Sequence, residues 1–286
     1  MQVTSGATDP VDESDDALFA RAIANHMLAG DDDALYSDAV EELHHRGTES
    51  IRRRAIELLD HPQPSGRSVG AAVLGRIDQL AGQPGDGATV DALIDLAGRE
   101  PDAVVIQAVV EALGDLGDPR AIPTALAFVD HPTPWLRWSV ARALTLLLAA
   151  RAGDALLDED EPAVAALIGL TADPDSEVRD WATFGVGTQL PIDGPLTRAA
   201  LWNRLDDPDD DARAEALHGL ARRHDPRTAP LVQTALEAET VGRLAVESAL
   251  LLGDPTLSRA LEGLTDWWDV DPPLLAAAIA ACTSGT

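Results

Sequence analysis

Tryptophan is the residue type whose placement in this sequence could most directly support molecular recognition. The chain has 6 Trp against 1 Tyr and 3 Phe, and all six tryptophans lie in its second half. They are Trp135, Trp138, Trp181, Trp202, Trp267 and Trp268. Trp is a common anchor of protein–protein interfaces, and it also packs in hydrophobic cores. The clustering therefore predicts either a tryptophan-rich core or a binding surface in the second half.

Arginine forms a second pattern, because one arginine occurs early in each of several helical segments. Small and apolar residues follow each of them six or seven positions later. The set comprises Arg67, Arg137, Arg179, Arg213 and Arg243. Guanidinium groups that recur at this spacing could form an anion-binding stripe, because each offers several donors to a carboxylate or phosphate. We call this set the arginine ladder.

Histidines and carboxylates offer two candidate metal sites, but neither has the spacing that a metal requires. His44 and His45 are adjacent, whereas residues that share one helix face are three or four apart. The acidic run 206–211 could supply oxygen ligands to calcium, yet it lacks the glycine and the distant glutamate of an EF-hand loop. Helix capping explains these aspartates. The chain also has no Gly-rich phosphate loop and no paired cysteines. We predict no catalytic set, no metal and no cofactor.

Helices must position these candidates, because the segment 102–132 reads as two amphipathic helices around a turn. Gly117 can adopt the left-handed conformation that ends the first helix. Asp118 can cap the second helix, and Pro119 suits its first position. Neither helix can bury its apolar stripe alone, so both must pack against neighbours.

The same unit recurs along most of the chain. Its inner turn returns at 224–230 and at 253–255, and its outer turn carries Pro62, Pro132, Pro174 and Pro208. These prolines are 70, 42 and 34 residues apart, and the first interval holds two units. An acidic insertion at 154–161 accounts for the longer interval of 42 residues. A period near 35 residues with two helices per unit predicts a solenoid.

The units fit the pattern V-R-x-x-A-x-x-A-L-G-x-L-G-D-P-R-A-I-P, which resembles the HEAT family. The resemblance is strongest to the short bacterial HEAT-like repeats of the phycobilisome-lyase type, and it covers residues 33–283. It implies an all-α fold, a right-handed α-solenoid of about seven helix pairs with terminal capping helices. We expect a disordered acidic segment at 1–13, followed by a single domain at 14–283.

The resemblance also implies roles for the arginines and tryptophans. In HEAT-like repeats the equivalent arginine usually pairs with an acidic turn residue of the neighbouring unit, so a structural arginine ladder is expected. Its expected partners are Asp102, Asp175, Asp209 and Asp211. Second helices line the concave face of such stacks, and this places Arg198, Trp202, Arg259 and Trp267 there. We predict that these four residues bind a partner of a noncatalytic interaction scaffold or adaptor.

Two other groups of HEAT-like proteins supply the alternatives. Alkylpurine DNA glycosylases use concave Trp and Asp residues with a basic groove, and Trp202 and Asp206 are spaced i, i+4 here. The chain departs from that family in its charge and in its lack of lysine. Phycobilin lyases share the repeats, but no pigment-binding signature is apparent. The alternatives are therefore a glycosylase-type enzyme, or a lyase or regulatory subunit of a larger assembly.

Charge restricts the class of partner. The formal net charge is −28, and all 21 basic residues are arginine. Nucleic-acid binding requires basic groups that displace counterions, so a nucleic-acid partner is disfavoured. A partner protein with a basic surface would instead be steered toward this chain. An acidic surface also suits a high-salt cytoplasm, and composition does not separate these two causes.

The remaining sequence features concern location and assembly. No apolar run is long enough to span a membrane, and the N-terminus lacks the basic and apolar regions of a signal peptide. The single cysteine, Cys282, forms no internal disulfide, so we expect a cytoplasmic protein. The segment 272–282 is unusually apolar for the outer face of a terminal helix. We therefore expect a monomer, or a weak dimer through the C-terminal helix.

Overall fold

The computed structural model describes residues 13–28, 37–80, 87–153 and 155–283. Within these ranges the fold is all-α, and the only β feature is an isolated parallel bridge between Leu157 and Ile192. The predicted fold class is thereby confirmed. The predicted disordered segment at 1–13 lies, apart from Glu13, outside the described residues. No helix within the described ranges is long and apolar enough to cross a membrane.

The chain divides into two compact units, one ending at Gly117 and the other beginning at Asp118. The prediction of a single domain at 14–283 stays a prediction. The helices described in the first unit are α1 (Asp15–Leu28), α2 (Asp38–Arg46), α3 (Glu49–Leu58), α4 (Pro64–Leu80), α5 (Gly87–Arg99) and α6 (Ala103–Leu116). The α4 helix packs against α6, α3 and α2, so first helices of successive repeats touch one another.

The second unit contains the remaining helices, two of which are preceded by a 3-10 turn. These turns are Pro119–Ala121 and Pro255–Leu257, and a π-helical segment, Gly185–Gln189, extends the helix before it. The α-helices are α7 (Ile122–Leu126), α8 (Pro134–Ala152), α9 (Pro162–Leu170), α10 (Ser176–Phe184), α11 (Pro195–Arg204), α12 (Asp210–Arg222), α13 (Ala229–Leu236), α14 (Arg243–Leu252), α15 (Ser258–Glu262) and α16 (Pro272–Thr283).

Helix order along the described residues follows the predicted alternation of first and second helices. Seven consecutive pairs run from α2 to α15, with α1 before them and α16 after them. In the second unit the first helices α10, α12 and α14 pack successively on one another, and α16 packs on α14 and α15. Leu275, Ala278 and Cys282 are buried in that last contact.

Local capping explains why the helices end where the sequence predicts. The Asp102 side chain accepts a hydrogen bond from the Val104 N–H at 3.0 Å, which begins α6. Gly117 ends that helix with φ at +68°, a conformation that costs glycine little. The Asp118 side chain then accepts from the Arg120 N–H at 3.0 Å, with Pro119 at the first helical position.

The fifth repeat departs from this pattern because its inner turn is held by an arginine from the next repeat. A Cβ at Gly219 of α12 would lie 2.7 Å from the Gly187 Cα, so only glycine allows this close approach. The Arg223 guanidinium then reaches back and donates to the carbonyls of Val186 at 2.7 Å and Ile192 at 2.9 Å. The first bond satisfies a carbonyl group in the π-helical segment, and the second satisfies one in the turn that follows it.

Candidate functional site

The arginine ladder makes a repeating two-part contact between repeats. Arg179 donates from Nε and Nη2 to the two carboxylate oxygens of Asp207 at 2.9 and 3.0 Å. Its Nη1 donates to the carbonyls of Asp173 and Pro174 in the preceding outer turn. The Asp207 side chain is fully buried and that of Arg179 is 11% exposed. The same two-part contact joins the pairs Arg67–Glu100 and Arg137–Asp173.

The acidic partners expected from the sequence were wrong. The true partners stand two residues earlier in each turn, because Asp102, Asp175 and Asp209 are used as helix caps. The Asp209 carboxylate accepts from the backbone N–H groups of Asp211 and Ala212, so it faces its own helix. Asp211, the fourth expected partner, lies exposed in the first turn of α12. Each ladder carboxylate also accepts the backbone N–H of the capping aspartate that follows it.

Ion pairing with the ladder changes the pKa of its carboxylates. Hydrogen bonds from Arg179 outweigh the effect of burial and lower the pKa of Asp207 to about 2. Burial raises the pKa of Asp173, but bonds from Arg137 and from a backbone N–H reverse this, so the net pKa is lowered. The net pKa of Glu100 is lowered in the same way. These carboxylates therefore stay ionised at neutral pH.

The ladder is interrupted after the sixth repeat. Thr240 occupies the position, two residues before the helix cap, that a carboxylate holds in the three complete contacts. Arg213 pairs instead with Asp210 on its own helix and donates to the Asp207 carbonyl. The following helix, α14, begins at Gly242 without a side-chain cap. Arg243 forms a looser ion-pair contact, in which its Nη2 lies 3.1 Å from a carboxylate oxygen of Glu247 and 3.4 Å from one of Asp271.

Two of the predicted partner-binding residues, Arg198 and Trp202, contact the inner turn of the sixth repeat. The Trp202 indole N–H donates to Asp225 at 3.3 Å, and the Arg227 guanidinium carbon lies 4.3 Å from the Trp202 ring centroid. Arg198 donates to Asp193 at 2.8 and 2.7 Å and to the Arg223 carbonyl at 2.9 Å. Both side chains are partly exposed.

Asp225 is the centre of this cluster. It is buried and accepts two bonds from the Arg227 guanidinium, at 2.9 and 2.7 Å. It also accepts the Arg227 backbone N–H at 3.1 Å, which caps the turn. The bonds from Arg227, together with the one from Trp202, hold the pKa of Asp225 well below its usual range. The cluster thus joins α11 to the turn before α13 and leaves the Arg227 side chain exposed over Trp202.

The other two predicted residues, Arg259 and Trp267, lie on the last repeat and are exposed. Trp267 is 51% exposed, and its indole N–H donates to the Gly263 carbonyl at 3.1 Å. Arg259 lies in the last turn of α15. Trp267 lines a cavity of about 350 Å³ beside α16. The four predicted residues therefore divide between two locations, one at the α11–α13 turn and one at the C-terminal end.

Three of the remaining four tryptophans pack among helices. Trp181 stands between Trp138 and Phe184, with ring centroids 5.3 and 5.5 Å away. Trp268 is buried and donates to the Val241 carbonyl at 2.8 Å. Aromatic pairs at these distances stabilise the fold by more than the burial of their apolar area alone. These three tryptophans thus have structural contacts.

Glu159, in the acidic insertion, is a structural residue that the sequence patterns missed. Its carboxylate accepts hydrogen bonds from the N–H groups of Leu196 and Thr197 at 3.2 and 3.0 Å, and from the Thr197 hydroxyl at 3.1 Å. Gly194, at the start of α11, offers no capping side chain. A carboxylate 37 residues away in sequence therefore caps this helix, and no local pattern announces it.

Three titratable side chains on α10 and α12 were also missed, of which His218 is buried and Asp180 and Glu215 are partly buried. Burial, with nearby Asp209 and Asp211, raises the pKa of Asp180 to about 6. Burial also raises the pKa of Glu215 and lowers that of His218 to about 4. Perturbed pKa values occur at active sites and in structural networks alike. Among the described residues, no group of three or more His, Cys, Asp or Glu side chains could hold a metal ion.

The glycosylase-like spacing of Trp202 and Asp206 receives no support from the hydrogen bonds around them. The Trp202 N–H is directed to Asp225, and the Trp202 ring faces Arg227. Asp206 is exposed in the turn after α11.

Comparison with known proteins identifies the repeats. Residues 90–187 match the family of HEAT repeats. Protein YibA of Escherichia coli strain K12 is 32% identical over 120 residues, which is 42% of this chain and 42% of that protein. Protein YibA of strain O157:H7 gives the same values. The chain thus matches less than half the length of these curated relatives. The predicted resemblance to HEAT repeats is confirmed.

The solved structure of one relative agrees on the fold. The X-ray structure of E. coli YibA has a TM-score of 0.66 to this chain, with 22% identity, and covers 96% of this chain and 98% of its own. The complex of CpcE and CpcF of phycocyanin lyase from Nostoc has a TM-score of 0.47, with 18% identity and 99% coverage of both chains. At such identities the likeness concerns fold alone.

Proposed function

We propose that this HEAT-repeat chain is a noncatalytic scaffold or adaptor that binds another protein. The observation that carries the proposal is the repeat architecture itself. Stacked helix pairs that each contact only their neighbours present extended surfaces, and repeat proteins use such surfaces to bind partners. The proposal requires no cofactor, and it places the interaction in the cytoplasm.

The internal use of the polar side chains supports a noncatalytic role. Complete ladder contacts direct the guanidiniums of Arg67, Arg137 and Arg179 into structural ion pairs. Trp202, which with Asp206 is the best candidate for a reactive aromatic–carboxylate pair, donates its N–H to Asp225 in the turn before α13. Binding then falls to side chains that remain accessible, of which Trp267 and Arg259 are the leading candidates. Arg198 and Trp202 would contribute through their exposed edges beside Arg227.

The partner is proposed to carry a basic surface. A net charge of −28 attracts positively charged proteins over a Debye length and accelerates their association. It repels nucleic acid for the same reason. The chain itself is proposed to be a monomer or a weak dimer.

The proposal is tested by capture from a native lysate with the tagged full chain as bait. We expect one protein to be retained in stoichiometric amount at physiological salt. Trp267→Ala and Arg259→Ala should reduce its recovery, whereas Leu196→Ala should not, although Leu196 is apolar and 50% exposed, nearly as much as Trp267. Recovery only of proteins that physiological salt removes would contradict a specific scaffold.

A further inference from the structure

The surface at the end of the last repeat combines exposed apolar side chains with a helix that has no charge. Trp267 is 51% exposed and Val270 is 63% exposed, both between α15 and α16. The α16 helix, Pro272–Thr283, contains no charged residue, although 24% of the chain is charged. We call the surface formed by Trp267, Val270 and the exposed side of α16 the C-terminal groove.

The α16 helix has two faces of different character. Leu275, Ala278 and Cys282 are buried against the last repeat. Ala276 and Ala277 are exposed on the other side. Alanine is short, so another helix can approach this face toward the close end of the interaxial range of about 8–10 Å. The exposed face therefore has the shape that suits a packed helix.

A cavity of about 350 Å³ deepens one side of the groove and has room for a large apolar side chain. Its apolar walls include Trp267, Pro272, Ala276 and Ile279. Among the described residues, its charged lining residues are Asp266 and Asp269, both acidic. An occupant must therefore bring an apolar side chain for the cavity and positive charge for its rim.

We propose that the C-terminal groove binds an amphipathic helix of a partner protein, with a large apolar residue in the cavity and flanking Arg or Lys residues at Asp266 and Asp269. This rests on the proposed scaffold function and names the chemistry of its partner. A large aromatic next to a pocket is the usual centre of an interface hot spot. Amphipathic helices dock into apolar grooves through residues spaced three and four apart.

Charge selects this occupant over a second copy of the chain. Two copies meeting through the same face would bring the acidic rims of both grooves into one interface, because a two-fold interface uses the same patch on both subunits. Each copy would also carry a net charge of −28. Like charges that face each other across an interface oppose association. A basic helix is attracted both by the two aspartates and by the net negative charge.

The test uses synthetic helical peptides and the full chain, measured by isothermal titration calorimetry at physiological salt. One peptide has leucines along one face and lysines on the other, and its matched partner has glutamates in place of the lysines. We expect the lysine peptide to bind and the glutamate peptide not to bind. Trp267→Ala should weaken binding by about tenfold or more, while Leu196→Ala leaves it unchanged.

Ala277→Glu separates groove docking from nonspecific attraction to an acidic protein. The added negative charge would strengthen binding that is purely electrostatic, whereas a glutamate on the docking face should block a seated helix. We expect loss of binding. Slow labelling of the buried Cys282 thiol, as in the wild type, would show that α16 remains docked in the variant. Unchanged or tighter binding by Ala277→Glu would overturn the proposal.

Two further outcomes also decide the matter. A concentration-dependent dimer in sedimentation that Ala277→Glu dissociates would identify a second copy as the occupant and reject a basic helix. If a lysate partner is captured equally well by the wild type, Trp267→Ala and Ala277→Glu, then the groove is not its binding site, while the scaffold function stands. Failure of the scaffold function would instead appear as absence of any salt-resistant partner.

Discussion

The buried carboxylate of Asp207 links two arginine side chains and a backbone N–H group. It accepts two bonds from Arg179, one from Arg204 at 2.7 Å, and the Asp209 N–H at 3.1 Å. Bidentate contacts between guanidinium and carboxylate are geometrically specific and strong. Removal of the carboxylate would leave two guanidiniums facing a site with little solvent. This residue therefore controls how tightly the fifth and sixth repeats are joined.

We predict that Asp207 makes stability depend on acid pH. Its folded-state pKa of about 2 is below the unfolded value, so its contribution is present above the unfolded pKa near 4. The contribution is lost as pH falls through the folded pKa, and it amounts to about 2 kcal/mol. Urea unfolding at pH 7 should show Asp207→Asn less stable by at least about this amount, because two guanidiniums lose their partner.

The same experiment between pH 5 and 2 supplies the check. Wild-type stability should fall more steeply than that of Asp207→Asn, and the two curves should converge at the acidic end. Asp206→Asn, an exposed neighbour in the same turn, serves as the matched control and should follow the wild type. Parallel wild-type and Asp207→Asn curves would contradict the assignment.

The interruption at Thr240 leads to a stabilising substitution. Thr240→Asp places a carboxylate at the position that Glu100, Asp173 and Asp207 hold in the complete contacts. Arg213 could then bridge to the next repeat, which should raise the free energy of unfolding by up to about 1 kcal/mol. Chemical denaturation measures the change. The gain should vanish in an Arg213→Ala background, and a gain that persists there would have another origin.

At the scale of elements, Glu159 shows a helix cap supplied from another repeat. Because Gly194 offers α11 no capping side chain, we predict that Glu159→Ala destabilises the protein by about 1 kcal/mol. The amides of Leu196 and Thr197 should exchange hydrogen faster than in the wild type. Asp160→Ala, one residue away and exposed, is the control. Equal exchange in both variants would show that α11 does not depend on this cap.

Helix boundaries were predictable because their signals are local. Gly117 ends α6 and Pro119 takes the first position of the 3-10 turn that follows, as predicted. The ladder partners were not predictable, because the turns that contain Glu100, Asp173 and Asp207 have an acidic residue on both sides of a proline. The chain pattern does not say which of the two faces the arginine. The structure shows that the second is consumed as a helix cap. Only the first is then free to turn toward the preceding repeat.

The candidate binding residues could be predicted less well than the helices, for a related reason. Trp202 and Trp267 look equivalent in sequence, as large aromatics on or beside second helices. The Trp202 N–H donates to a turn aspartate 23 residues later, whereas the Trp267 N–H donates to the carbonyl of Gly263 in its own segment. Exposure depends on contacts distant in sequence, and helical periodicity carries no information about them. The structure was therefore needed to show that the four predicted binding residues lie at two separate locations.

At the scale of the whole molecule, charge opposes folding. The formal charge of −28 is spread over 286 residues, and the compact state concentrates this repulsion. The ladder contacts stabilise the folded state. Because their side chains are buried, dissolved ions screen them little. Added salt should therefore screen the repulsion between exposed carboxylates more than it weakens the ladder.

We predict that the melting temperature rises when sodium chloride is increased from about 0.01 to 0.15 M, over which the Debye length falls from about 30 to 8 Å. Calorimetry or circular dichroism measures the transition. Sucrose at equal osmolality is the control, because it favours compact states without screening charge. A melting temperature that falls with salt would mean that exposed ion pairs outweigh the repulsion. A rise specific to salt would mean that the acidic surface lowers stability, and a basic partner that covered part of it would relieve the same repulsion.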